Sequence, residues 1–319
     1  MHVGPLFTPA AAHPVMVLPA ADSSAGALCA QATANRAYFD TLLRQHGAIL
    51  FRGFDIQRAE DFRTCVESLG GTPYGYVGGN TPRTNVAVDI FTSTEYPASE
   101  VIGLHHEMSY LPKWPRRLFF YSLVPARQGG QTSLASSRDV VQALPARLVD
   151  KLRRKRITYV RHFHPSLPIG KSWQATYQTT DRDQVAAIAA RQASTCEWLP
   201  GDVLRVSTRC EALTTHPETG EEVWFNQVEQ WHPSSLDPSM RAMFEELVGK
   251  HQLPHNCEYG DGEPLEDHVL AEIRLALTQH KLLFDWQRRD LLMIDNVLMM
   301  HGREAFTGER KTLAYLSES

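Results

Sequence analysis

At 319 residues the chain is long enough for two ordinary domains, although large β-rich enzymes of this size often fold as one. Hydrophobic residues make up 43% and charged residues 21%, the balance of a globular protein with a sizeable core, and no apolar run approaches the roughly 20 residues that span a bilayer. A net charge of −4 leaves no electrostatic footprint for nucleic acid, and the five cysteines are scattered without a C-x-x-C pair, which argues against a disulfide framework or a thiolate zinc site and for a reducing, cytoplasmic setting.

The first residues, Met1 to Ser23, are rich in Ala and Pro. They show neither a basic start nor a compact apolar segment, so they read as a mature end, with residues 1–25 loosely ordered. Residues 35–46 read as a helix, with Ala37, Phe39, Leu42 and Leu43 near helical spacing and Gly47 just beyond. The apolar run Ala48 to Phe51 lies between Gly47 and Gly53 and reads as a buried strand; a second helix, Ala59 to Leu69, stops at Gly70-Gly71. Beyond residue 80 the texture turns β-like. Short apolar or alternating runs occur at 86–91, 118–124, 158–163, 202–207, 223–227 and 291–296, several of them separated by turn residues such as Gly129-Gly130 and Pro200-Gly201. Helices are expected at 138–155, 181–193, 237–251 and 265–280. Many short strands with helices outside them predict a mainly β protein with helical additions, a double-layered jelly-roll. Nothing in the composition marks a linker, so residues 1–319 read as one domain.

The chemistry concentrates in His105-His106-Glu107 and, far downstream, His301 and Arg310. Side chains alternate faces along a strand, so residues 105 and 107 of a strand share a face and residue 106 points away. Two histidines and one carboxylate on one side of a site make the facial set of mononuclear non-haem Fe(II), with the opposite side open for O₂ and a co-substrate. His301 follows the apolar run Leu291 to Met300 and precedes Gly302, which suits a ligand at the end of a buried strand in a crowded cavity. Imidazole and carboxylate also serve zinc, so a zinc hydrolase remains open on ligand type. The pair His162-Phe163-His164 has no nearby carboxylate and reads as a polar strand end. Arg310 offers a planar guanidinium that can hold a carboxylate by two parallel hydrogen bonds, the anchor a dicarboxylic co-substrate needs.

Ordered stretches along most of the chain resemble the taurine dioxygenase-like Fe(II)/2-oxoglutarate-dependent oxygenases, in the branch of clavaminate synthase and the aspartyl hydroxylase of syringomycin biosynthesis. They include Gly47 to Phe54, Thr92 to Pro97, Leu104 to Tyr110, Gly129-Gly130-Gln131-Thr132, Ser172-Trp173-Gln174, Val223 to Gln227, and Asp295-Asn296 through His301-Gly302-Arg303. The resemblance implies a double-stranded β-helix, with His105, Glu107 and His301 as iron ligands. It also implies that Thr132 hydrogen-bonds the 2-oxoglutarate carboxylate and that Arg310 forms its salt bridge. Two departures stand out. His106 occupies a position where this branch often has Asn, which predicts a different pocket polarity, and Lys311 follows Arg310 where a second Arg is common.

By the same resemblance the reaction couples oxidative decarboxylation of 2-oxoglutarate to hydroxylation of an unactivated C–H bond, with O₂ as co-substrate. The retained carboxylate of Glu107 argues against halogenation. The expected substrate is a small amino acid or amino-acid derivative of secondary metabolism, free or carried on an acyl or peptidyl carrier protein, and Asn80, Arg83, Trp173, Gln174 and Gln227 are its candidate contacts. The basic run Lys151 to Arg156 suits either an acidic carrier or a solvated helix end. Desaturation or cyclisation of a small carboxylate or amine, a zinc hydrolase and a non-catalytic binding protein are the alternatives.

Overall fold

The structure is a computed structural model that describes residues 1–7, 14–75, 85–87, 90–92, 96–165 and 171–319. Its centre is the strand Leu291–Asp295, in which every residue is buried. Leu291 and Met293 face one layer and Leu292 and Ile294 the other. A strand covered on both faces has no reason to alternate in polarity, which is why this stretch is a continuous apolar run. It sits in an eight-stranded sheet of order His2–Pro5, Val15–Leu18, Ala48–Phe51, Leu291–Asp295, Arg117–Val124, Lys311–Ser317, Ile90–Thr92 and Asn85–Ala87.

On the outer face of this sheet, Ile49, Phe51, Phe119, Tyr121, Met293 and Tyr315 receive Leu28, Phe39, Leu43, Phe62 and Val66 from three helices, Ala25–Ala34, Arg36–His46 and Ala59–Ser68. The inner face presents Leu50, Leu118, Phe120, Leu292, Ile294 and Leu316 to Leu134, Phe284 and Met299 of a four-stranded sheet. That second sheet runs in the order Leu282–Phe284, Thr132–Ser136, Met299–Arg303 and Ile102–His105. Behind it, Leu104, Ala135 and Met300 pack on Val140, Leu148, Leu152, Val269 and Ile273 from the helices Ser137–Ala143, Ala146–Lys155 and Asp267–Gln279. Two facing sheets with helices on both outer sides form the expected jelly-roll with helical additions. A further sheet, Ser194–Leu199, Val203–Cys210, Ile157–Phe163 and His255–Tyr259, extends the body. No helix among the described residues is long and apolar enough to cross a membrane.

Three expectations need correction. The start of the chain is not loosely ordered throughout, because His2–Pro5 and Val15–Leu18 pair antiparallel and the latter joins Ala48–Phe51 in parallel, with Val15 and Val17 buried in the outer cluster. The helix expected over 138–155 is two helices. Pro145 has extended backbone at the boundary, and proline disfavours helical conformation in the residue before it, here Leu144 with ψ 143°. The run 291–300 is not one strand either: residues 296–298 turn the chain from Leu291–Asp295 in the first sheet to Met299–Arg303 in the facing one, which places His301 in mid-strand.

Candidate active site

Between the two facing sheets lies a cavity lined by Ile102, His105, Glu107, Phe120, Thr132, Trp286, His301, Gly302, Arg303, Arg310 and Thr312. His105 and His301 stand directly opposite each other on paired antiparallel strands, with ring centroids 4.3 Å apart. Residues opposite in a ladder bring their side chains together on one face, so the pairing itself aims both imidazoles at one point. Gly302 permits this approach, since a Cβ there would lie 2.5 Å from both the Ile102 carbonyl oxygen and the Ser133 hydroxyl.

Glu107 reaches the same point by a different route. The strand ends at His105, and Glu107 lies beyond it, followed by Met108 in left-handed backbone at φ 58°. Strand alternation therefore does not account for the face shared by residues 105 and 107. One ligand atom from each of His105, Glu107 and His301 lies within 4.8 Å of the others, and among the described residues this is the one such group of His, Cys, Asp or Glu. The His301 Nε2 to Glu107 Oε2 distance is 4.0 Å. His105 Nδ1 donates to the Gly103 carbonyl at 2.9 Å, which puts the ring proton there and leaves the Nε2 lone pair for an ion. Two imidazoles and one carboxylate converging in a semi-buried cavity fit Fe(II) with room on the far side.

Arg310 faces the same cavity as a cation with no hydrogen bond or ion pair to any described residue; its guanidinium carbon lies 5.6 Å from the centre of the Phe306 ring. Burial, and then the like charge of Arg303, push its pKa down to about 10, so it still carries its charge at neutral pH. The neighbouring Arg303 is committed elsewhere, since its Nη1 donates to the Tyr96 carbonyl at 3.1 Å and its Nη2 to those of Pro97 and Glu100, both at 2.7 Å. Gly129 and Gly130 turn in left-handed backbone, at φ 73° and 70°, and a Cβ on Gly130 would come 3.2 Å from Arg310 Cδ. Thr132 Oγ1 accepts a hydrogen bond from Trp286 Nε1 at 2.8 Å, an arrangement that leaves the hydroxyl proton to donate. A cation with no anion beside it among the described residues, next to an oriented hydroxyl donor, matches the needs of a carboxylate ligand.

The sequence reading missed Trp286, Phe120 and Thr312 as cavity walls. Trp286 stands shortly before the central strand, and its indole beside Thr132 left no pattern that periodicity could reveal.

The substrate candidates fare differently. Gln227 is buried and does not line the cavity: its side-chain amide donates to the His106 carbonyl, its Oε1 accepts from Trp231 Nε1, and its backbone N–H donates to Tyr159. Trp173 packs edge-on against Trp198 with Phe163, Tyr177 and Leu204, and Gln174 is exposed on the same short helix; neither lines the cavity. Asn80 and Arg83 lie outside the described residues. His106 does not tune the pocket either. It is fully buried, bonded through Nε2 to the Ser137 hydroxyl at 2.8 Å and packed on Phe225. His162 and His164 bond to the backbone carbonyls of Leu253 and Gln252, as suits a polar strand end. The basic run is largely consumed within the molecule: Lys151 pairs with Glu266, Arg153 with Glu222 and Asp150, Lys155 with Asp261 and Glu263, and Arg156 with Glu211.

Comparison with known proteins agrees with this geometry. The sequence matches the Taurine catabolism dioxygenase TauD, TfdA family over residues 19–316. It is 36% identical over 271 residues to the dapdiamide synthesis protein DdaC of Enterobacter agglomerans, covering 85% of this chain and 82% of that one. A clavaminate synthase-like protein of Arabidopsis thaliana is 33% identical over 288 residues, covering 88% and 84%. Among solved structures, PvcB from Pseudomonas aeruginosa aligns with TM-score 0.58 at 16% identity over 99% of this chain and 90% of its own. AAD-2, in complex with Mn(II) and N-oxalylglycine, aligns with TM-score 0.59 at 13% identity, over 99% and 96%. At such identities the structural matches speak for the jelly-roll fold, whereas the sequence matches carry the family. The chain belongs to the TauD/TfdA dioxygenases, the taurine dioxygenase-like family of Fe(II)- and 2-oxoglutarate-dependent oxygenases.

Proposed function

We propose that this dioxygenase hydroxylates an unactivated C–H bond of an amino acid or amino-acid derivative in a biosynthetic pathway. In this reading His105, Glu107 and His301 hold Fe(II), Arg310 grips the far carboxylate of 2-oxoglutarate, and Thr132 donates to the same co-substrate. The observation that carries it is the convergence on one cavity of three metal-donor side chains and a half-buried guanidinium with no anionic partner among the described residues. Bound there, iron and 2-oxoglutarate would supply the oxidation, with O₂ consumed, succinate and CO₂ released, and one oxygen atom left on the substrate carbon. The protein's own residues orient the co-substrate and limit water around it: Trp286 fixes the Thr132 hydroxyl, and Phe120, whose ring centre is 5.3 Å from that of His301, supplies an apolar wall.

The biosynthetic setting is supported by the likeness to a dapdiamide synthesis protein. The basic run offers little for docking an acidic carrier, because most of its charges are already paired. The test is mass spectrometry of products after incubation with Fe(II), 2-oxoglutarate, O₂ and a panel of free, acylated and carrier-loaded amino acids. A gain of one oxygen atom in a free or acylated amino acid is the expected result. Loss of two hydrogens would make the enzyme a desaturase or cyclase. Turnover confined to loaded carrier would establish a tethered substrate, and succinate formation with no amino-acid product would overturn the substrate class.

A further inference from the structure

We infer that Asn296 is a positioning residue that holds the Glu107 carboxylate in the metal site, and that it does so by tying the Glu107 backbone to the turn that leads into the strand of His301. The inference rests on the proposed ligand role of His105, Glu107 and His301.

The two histidine ligands owe their juxtaposition to strand pairing, but Glu107 lies past the end of its strand and is followed by a left-handed residue. Something other than the ladder must fix it. Asn296 is fully buried, and its side chain makes three hydrogen bonds: Oδ1 accepts from the Glu107 N–H at 2.8 Å, and Nδ2 donates to the Glu107 carbonyl at 3.0 Å and the Pro115 carbonyl at 2.8 Å. One amide thus satisfies both backbone groups of the ligand residue, and the donor and acceptor pattern fixes which way the amide points.

The other end of the clamp is equally rigid. Asn296 occupies the turn between Leu291–Asp295 and Met299–Arg303, and its own N–H donates to the Arg116 carbonyl at 2.9 Å. The preceding residue, Asp295, accepts from the Val297 and Leu298 N–H groups through Oδ1, and from His216 Nε2 at 3.0 Å through Oδ2. His216 Nδ1 in turn accepts from the Thr219 N–H at 3.0 Å, so the imidazole proton is on Nε2 and points at Asp295. The turn is therefore pinned before Asn296 reaches across. His301 lies five residues further along, in the strand that this turn leads into, so one side chain ties the third ligand's strand to the carboxylate ligand. Partners that orient a metal ligand typically change affinity by about 10–100-fold when removed.

The test is anaerobic equilibrium dialysis of the full chain against Fe(II), with a thermal melt of each metal-free protein. Asn296→Ala should weaken Fe(II) binding at least tenfold, and the 2-oxoglutarate KM at saturating Fe(II) should stay near the wild-type value, because the anchor at Arg310 is untouched. Should Asn296→Ala fail to fold, Asn296→Ser, whose hydroxyl is too short to span both Glu107 groups, decides by the same measurement. A variant that melts lower but binds Fe(II) like wild type would make Asn296 purely structural and overturn the inference. Failure of the ligand assignment itself would look different: His301→Ala would then bind Fe(II) as tightly as wild type.

Discussion

Replacing Arg310 by Ala removes a cation that the fold pays to keep. The guanidinium faces the cavity without an anionic partner among the described residues, its pKa is driven down to about 10 by burial and by Arg303, and Arg303 itself is occupied by the carbonyls of Tyr96, Pro97 and Glu100. Truncating one partner of a hydrogen-bonded charge pair in a closed site costs about 2–5 kcal/mol. Arg310 is only partly buried by surface area, so the lower end applies. About 2–3 kcal/mol corresponds to a rise of roughly 30–150-fold in the 2-oxoglutarate KM. Arg310→Lys keeps the charge but loses the planar fork, and should fall between Ala and wild type. Because this charge has no anionic partner among the described residues, the melting temperature of metal-free Arg310→Ala should be equal to or above that of wild type. Initial rates of succinate formation against 2-oxoglutarate at saturating Fe(II), with parallel melts, measure both quantities. An unchanged KM would refute the anchor, and a large fall in melting temperature would show that Arg310 serves the fold instead.

Two further changes probe the walls of the site. Thr132→Val removes one hydrogen bond to a carboxylate, worth about 1.5 kcal/mol at the lower end, so the 2-oxoglutarate KM should rise about tenfold, and Trp286→Phe, which frees the Thr132 hydroxyl from its partner, should move it in the same direction by less; kinetics indistinguishable from wild type in Thr132→Val would remove that residue from the co-substrate site. Gly302→Ala places a Cβ 2.5 Å from the Ile102 carbonyl oxygen, a backbone contact that can be relieved only by moving the strand next to His105. Overpacking of this kind costs about 1–3 kcal/mol, read as a lower denaturant midpoint together with weaker Fe(II) binding, and an unaltered midpoint would show that the two strands are not tightly opposed.

Much of this architecture was legible from local pattern. The helices at 36–46, 59–68, 182–191, 238–248 and 267–279 and the strands at 48–51, 117–124 and 157–163 fall close to where apolar spacing, glycine and proline placed them. The three side chains that converge on the cavity were singled out as well, because residue type and spacing carry the chemistry directly. What local pattern could not supply was the reason Glu107 meets the histidines. Alternation along a strand gave the right face for the wrong cause, since the strand stops at His105 and the backbone of Glu107 is bonded instead to Asn296, 189 residues away. Gln227 misled in the same way. A polar residue in an expected loop near the site looked like a pocket contact, yet its amide is spent on the His106 carbonyl and the Trp231 indole. Polar groups in a packed interior need partners, and from sequence alone a structural amide and a binding amide look the same.

If His105, Glu107 and His301 together hold the iron that drives 2-oxoglutarate turnover, loss of any one of them abolishes it. The most direct measurement compares Fe(II)-dependent succinate formation in wild type, His105→Ala, Glu107→Ala and His301→Ala, each checked for an intact fold by circular dichroism. Turnover is expected in wild type with Fe(II) but not with Zn(II), and in none of the three folded variants. Wild-type-like turnover in folded His301→Ala would contradict that assignment.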